Sequence, residues 1–300
     1  MDNASTQPCP IACGAATCVT ATTTSDRFRQ SGGGKEPICD KVELEEVIIP
    51  SEETKEEEIH SQAGSVSSEE SHEGYELAYL SSDHMKLLEW AYGTDDSLIL
   101  MKKFSIKITG KDLRTITGSD WLSENIINFY MKLLSQRGKL EEWPSVFSMN
   151  TYFYPKILRH GIYSVQRWSK RIDIFSYDMI CIPINMRYSW GVAIIDFKNK
   201  SIKYYDSLGN GNNVCLQVLL EYLEFEHWFK KKGLYDTTDF ILENIMYVPP
   251  EMNEMNCSLF SCVFAELTTR NTWFPFNESH LPYLRNRIAV EILTGKLLIS

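Results

Sequence analysis

The sequence has no uninterrupted apolar run of about 18 residues, so no membrane-spanning helix is expected. It lacks an excess of cations. Thirty Lys and Arg face 40 Asp and Glu, and the net charge of -10 argues against nonspecific nucleic-acid binding. Met1-Asp2-Asn3 is followed by neither a basic flank nor an apolar stretch, so no secretory signal is expected. Eight cysteines in 300 residues are too few for a disulfide framework and read as thiols of a reducing compartment. Cys9, Cys13 and Cys18 form no C-x-x-C pair and have no histidine nearby. No zinc site is expected there, and no metal or cofactor elsewhere. Large aromatics are nearly absent before Tyr75, so that part of the chain could bury little surface against its conformational entropy.

What is present is unevenly placed. Hydrophobic residues make up 43% and charged residues 23%, enough for a sizeable core. Residues 40–83 hold fourteen Asp or Glu and two Lys, a balance of -12, which leaves the remainder at +2. Ala15 to Gly34 is dominated by Thr, Ser, Gly and Ala, and Glu-rich and Ser-rich sequence follows through Ser71. These features predict a disordered acidic leader over 1–83, an unassigned lead-in over 84–97 that fits a short amphipathic helix, and a folded domain over 98–300.

Apolar spacing in Trp121 to Gln136 predicts a helix, with Asp120 as its cap and Gly138 as its stop. Three β-like runs follow, Met179 to Ile184, Trp190 to Phe197 and Ile202 to Tyr205. Lys198-Asn199-Lys200 reads as the hairpin turn between the last two. Val214 to Lys231 reads as a helix, Ile245 to Val248 as a short strand, and Cys257 to Thr268 and His280 to Leu293 as helices. Helices, a strand meander and further helices indicate an α+β fold.

Cys257 opens an apolar helix after a loop. A thiol at a helix N-terminus lies in the positive end of the dipole, an arrangement that favours thiolate and recurs in thiol proteases. The same placement fits a buried structural cysteine, and Cys262, inside the helix, reads as core. Asp206 ends a strand and leads into Ser207-Leu208-Gly209-Asn210, where it fits a turn as well as a catalytic role.

Residues 98–300 also carry an ordered series of blocks. These are Asp120-Trp121-Leu122, Ile126 to Met131, Asn150 to Tyr154, and Arg167-Trp168-Ser169-Lys170-Arg171. After them come Ile182-Pro183-Ile184, Tyr204-Tyr205-Asp206-Ser207, Met252-Asn253, Cys257-x-x-Phe260 and His280-Leu281-Pro282-Tyr283. Together they resemble the ubiquitin-like protease family that processes SUMO (Ulp/SENP), most of all the branch of sentrin-specific proteases 1 and 2. The resemblance implies a papain-like cysteine peptidase fold and hydrolysis at the SUMO C-terminal Gly-Gly, in precursor processing and deSUMOylation. It implies a triad of His, Asp and Cys with a Gln that donates to the oxyanion. The Asp maps to Asp206 and the Cys to Cys257.

The other two positions depart from the family. The His position, before Trp190, is Ser189, and the oxyanion Gln position is Glu251. Asn256 and Ser258 flank the cysteine where the family has Asp and Gly. Without imidazole no nearby group is identified to accept the thiol proton, and at an unshifted pKa of ~8.5 a thiol is only about 3% thiolate at pH 7. An ionised Glu251 offers the oxyanion no donor. Loss of one such donor costs on the order of 10²–10³ in rate, and loss of a triad member roughly 10⁴.

The binding positions match better. Trp121 and Trp190 correspond to the tunnel walls that hold the Gly-Gly tail, and Arg167, Trp168 and Lys170 to the SUMO-binding face. Tyr152 stands where the family has Phe. Outside the resemblance, Val47-Ile48-Ile49, flanked by Glu45-Glu46 and Glu52-Glu53, looks like a SUMO-interacting motif. The expectation is a monomeric SUMO-binding family member with lost or strongly reduced hydrolysis, in the nucleus by family resemblance, or in the cytoplasm. Its partners are SUMO and SUMO-conjugated proteins, not nucleic acid or membrane. The alternatives are an active deSUMOylating protease that uses Cys257 with an unrecognised base, and a diverged copy without a retained role.

Overall fold

The computed structural model describes residues 77–299 except 119, 187, 248–253 and 274. Val47 to Ile49 and Glu251 therefore lie outside the described residues. The packed chain begins earlier than a boundary at 84 or 98. Helix α1 (Ser82–Tyr92) is closed by a reciprocal cap between Ser81 and His84, and it buries Leu88 and Ala91. Leu80 packs on the same core, and the Tyr283 hydroxyl donates to the Ala78 carbonyl at 2.8 Å. One leucine and one hydrogen bond are too sparse to stand out in an acidic sequence window.

Strands β1 (Ile99–Lys103) and β2 (Ile106–Thr109) form a hairpin. Its two turn residues, Phe104 and Ser105, are left-handed, with φ of 55° and 61°. Helices α2 (Gly110–Thr117) and α3 (Glu124–Arg137) follow. The cap of α3 is Ser123, whose hydroxyl accepts from the Ile126 N–H at 3.3 Å, and not the expected Asp120. The reason is tertiary. The Leu122 N–H is bound to Ser258 at 2.8 Å, so Trp121 and Leu122 stay non-helical and the helix begins after them.

The main sheet has the order β3-β4-β5-β6-β7: β3 (Val146–Ser148), β4 (Met179–Met186), β5 (Ser189–Asp196), β6 (Ser201–Tyr205) and β7 (Ile241–Ile245). The central meander is antiparallel and both outer pairs are parallel. Helix α4 (Phe153–His160) follows β3, and α5 (Asn213–Lys231) makes the crossover from β6 to β7. The expected strand at 245–248 lies instead at 241–245. Its register places Ile241 beside Ser201 and Glu243 beside Lys203, with an ion pair at 3.3 Å. An edge strand with exposed alternate residues needs no apolar run.

Side chains alternate across the sheet. Cys181, Trp190, Val192 and Ile194 face a core built with α3, α6 (Cys257–Thr269) and α7 (Leu281–Thr294). Ile182, Ala193, Ile195 and Tyr204 face a second core with α4 and α5. Helix α6 runs through the first core, and every residue except Thr268 is buried. A buried ionic cluster fixes it to its neighbours. Glu266 of α6 accepts a hydrogen bond from Arg137 of α3 at 2.7 Å and forms ion pairs with Arg270 at 2.7 Å and with Arg287 of α7 at 3.3 Å. Among the described residues no helix is long and apolar enough to cross a membrane.

Candidate active site

Three elements converge on Cys257. Strand β5 brings Ser189 and Trp190, β6 runs out into Asp206, and α6 begins at the cysteine itself. The Trp190 backbone N–H donates to Cys257 Sγ at 3.2 Å, and both residues are buried. After Trp190 only glycine fits, because a Cβ on Gly191 would lie 2.5–2.8 Å from the Tyr204 ring. Ser189 is half-buried at the start of β5, opposite Met186.

Asp206 is buried just beyond β6. Its two carboxylate oxygens accept from the backbone N–H groups of Leu208 and Asn210, each at 2.9 Å, and Gly209, at φ 73°, lets the loop close around it. The Asp turn read from the sequence and a fixed carboxylate beside the thiol are thus one structure. Burial pushes the Cys257 thiol above its ordinary range, and the Asp206 charge adds to this. Backbone N–H groups of Trp190, Ser258 and Cys257 oppose the shift without cancelling it. The helix dipole that favours thiolate is outweighed, and the sulfur stays protonated at neutral pH.

Two contacts around the thiol had no sequence signal. Asn256 Oδ1 accepts from Arg285 Nη2 at 2.6 Å, and the other Arg285 nitrogen donates to the Ile116 carbonyl. This ties the N-terminus of α6 to α7 and α2. Ser258 Oγ accepts the Leu122 N–H, so the serine holds Trp121, half-buried against the first core, next to the cysteine. Removing that acceptor leaves a buried N–H unsatisfied, at a cost of about 1–3 kcal/mol. Ser258→Ala should therefore lower urea stability by about that amount. An unchanged urea midpoint would mean that Leu122 finds another acceptor.

Three of the four described histidines are engaged elsewhere, and the fourth is exposed. His84 caps α1, and His160 ends α4 in solvent. His227 Nδ1 lies 2.9 Å from the Gly233 carbonyl oxygen, and its ring packs on Phe175 and Tyr235. His280 Nδ1 lies 2.9 Å from Asn277 Oδ1.

The remaining positions lie toward α4. Arg167 and Lys170 are exposed, while Trp168 is half-buried, 5.7 Å from the Phe153 ring centroid, with Lys156 Nζ 5.8 Å from its own. Tyr152 is exposed before α4, and Glu124 in the first turn of α3 raises its hydroxyl pKa. Residues 143–172 contain five Lys or Arg and no Asp or Glu, so this surface suits an acidic partner.

A profile of the Ulp1 protease family, C-terminal catalytic domain, matches residues 120–296. The chain belongs to the Ulp1 protease family. It is 38% identical over 198 residues to a sentrin-specific protease of Caenorhabditis elegans, covering 66% of this chain and 28% of that protein. It is 32% identical over 210 residues to sentrin-specific protease 2 of Homo sapiens, covering 69% and 35%. The chain thus spans about a third of the length of these curated relatives. Among solved structures it resembles the C-terminal Ulp1 protease domain in complex with Smt3, the yeast ortholog of SUMO. The TM-score is 0.64 at 28% identity, covering 74% of this chain and 99% of that one. The family and the α+β catalytic-domain fold read from the sequence are those found. Within this Ulp1-family fold Trp190 touches the Cys257 sulfur, Leu122 beside Trp121 is bonded to Ser258, and Ser189 stands on the strand that touches the thiol.

Proposed function

We propose that the protein is a SUMO-binding pseudoprotease, a Ulp1-family domain that grips SUMO and hydrolyses it poorly or not at all. The observation that carries this reading is the residue before Trp190. The Trp190 N–H touches the sulfur, yet Ser189 supplies no base there, and the buried thiol beside Asp206 is held in its protonated form. Three of the four described histidines are engaged elsewhere and His160 stands in solvent at the end of α4, which weighs against an unrecognised base. Trp121 and Trp190 would wall the Gly-Gly tail, while Tyr152, Arg167, Trp168 and Lys170 would face the body of SUMO. Val47 to Ile49 would add a second contact by strand addition.

The test pairs two measurements on the full chain. Titration calorimetry should show SUMO binding, weakened by Arg167→Glu, with chained SUMO losing affinity when Val47, Ile48 and Ile49 are all changed to Ala. Incubation with a SUMO precursor should show turnover at least about 10³-fold below that of an active relative. Turnover near that of an active relative, abolished by Cys257→Ala, would refute the loss of hydrolysis. Absence of any SUMO binding would refute the binding half.

A further inference from the structure

At the opposite end of β5 from Trp190 the sheet face is left uncovered. Asp196 lies six positions after Trp190, about 20 Å along a strand. Helix α6 reaches its C-terminus here, and the gap beyond it forms a cleft of about 310 Å³. Asp196, Ser201, Lys203, Tyr205, Glu243 and Trp273 line it. A second cleft of about 410 Å³ shares Met179, Asp196, Asn199 and Asn271 with the first, so the two run together as one trough. Glu141, Glu142, Asp178 and Lys198 line that second part.

The charge of the trough is one-sided. Five carboxylates line it against two lysines, Lys198 and Lys203. Lys203 is already paired with Glu243 at 3.3 Å. The Ser145 hydroxyl and N–H bond Asp178 and hold its carboxyl below the ordinary range, so it is charged at neutral pH. Trp273 stacks one face on Phe264 and leaves 44% of its surface exposed. Such a ring face can receive a cation.

A second observation is independent of the acids. Ser201 is 3% exposed, and among the described residues its hydroxyl has no hydrogen-bond partner. On β6, Ile202 and Tyr204 point into the second core, so Ser201, Lys203 and Tyr205 point to the trough side. A buried hydroxyl without a partner is costly, and this one lies beneath a trough where a donor could satisfy it.

We infer that this trough is a docking site for an extended peptide segment bearing lysine or arginine. Glu141 and Glu142 meet its cations, Trp273 covers an aliphatic stem or guanidinium, and Ser201 accepts a hydrogen bond at the floor. The site lies at the far end of β5 from the thiol, so it would be filled whether or not SUMO is bound, and it does not depend on the loss of hydrolysis.

The probe is a fluorescein-labelled peptide of alternating arginine and serine, read by anisotropy with the full chain. A glutamate-serine counterpart and free arginine serve as controls. The arginine peptide should bind and the glutamate peptide should not. Ser201→Ala should weaken binding about tenfold, as loss of a hydrogen bond to a charged donor does. The exposed pair Glu141→Gln with Glu142→Gln should weaken it at least about tenfold and leaves the core untouched. A photoreactive form of the peptide should crosslink to residues 141–144, 196–203 or 271–273. Crosslinks confined to the acidic residues 40–83 would overturn the proposal. So would affinity unchanged by the variants, equal binding of the glutamate peptide, or free arginine binding as tightly as the peptide.

Discussion

Ser189→His combined with Glu251→Gln should cleave a SUMO precursor at least about 10²-fold faster than the parent chain. The scaffold around position 189 is in place. Position 189 precedes the residue whose N–H lies 3.2 Å from Cys257 Sγ, so an imidazole there starts next to the thiol. Asp206 is held by two backbone N–H groups and keeps lone pairs with which to accept from the ring. The imidazole would take the thiol proton, and the resulting ion pair would counter the burial and the Asp206 charge that keep the sulfur protonated. Glu251→Gln would exchange an acceptor for a donor. The two gains act on one transition state and should not simply multiply.

The pH dependence follows from the sign of the thiol shift. Labelling of the parent by an electrophilic SUMO C-terminal probe should climb only at alkaline pH, because its thiol is raised. Ser189→His alone should move that rise to lower pH. If the double variant binds SUMO yet neither labels nor cleaves above the parent, the site is distorted beyond these two residues.

Glu266→Gln should destabilise the domain by about 3–5 kcal/mol, the cost of leaving a buried cation uncompensated. Glu266 is 2% exposed and Arg137 and Arg287 are each 3% exposed, so water cannot replace the lost carboxylate. Glu291→Gln should cost less. Glu291 bonds Arg287 Nε at 3.1 Å and the Tyr130 hydroxyl at 2.8 Å, and Arg287 keeps Glu266 when Glu291 is neutral.

The two carboxyls also titrate with opposite sign. Burial alone would raise Glu266, but Arg287, Arg270 and Arg137 outweigh it and hold the group low. Its contribution is present above the ordinary carboxylate pKa and is lost as pH falls through the lowered value. Burial outweighs Arg287 and the hydrogen bonds at Glu291 and holds that group high. Its contribution is present below the ordinary pKa and is lost as pH rises toward the raised value. Urea midpoints between about pH 3 and pH 7 should therefore show Glu266→Gln removing the acid-side loss and Glu291→Gln removing the opposing slope. Equal costs for the two variants would mean that the cluster is solvated. Glu266 shares α6 with Cys257, so loosening the cluster should also lower probe labelling in the Ser189→His background.

The elements with strong periodicity were legible in the sequence. The helix over α3, the meander of β4, β5 and β6, and the helices over α5, α6 and α7 carry apolar spacing that any burial of one face requires. The family was legible because its blocks lie in order along the chain. What the sequence did not reveal depends on partners distant in the chain. Ser123 caps α3 because Ser258, 136 residues beyond Leu122, holds the preceding peptide N–H. Strand β7 takes its place from its parallel pairing with β6, from Ile241 beside Ser201 to Ile245 beside Tyr205. Arg285 carries no sequence signal and fastens Asn256. The state of Cys257 belongs to the same class. A helix N-terminus predicts an easier thiolate, and the tertiary structure decides otherwise, because burial and a neighbouring carboxylate destabilise charge more than one helix end stabilises it.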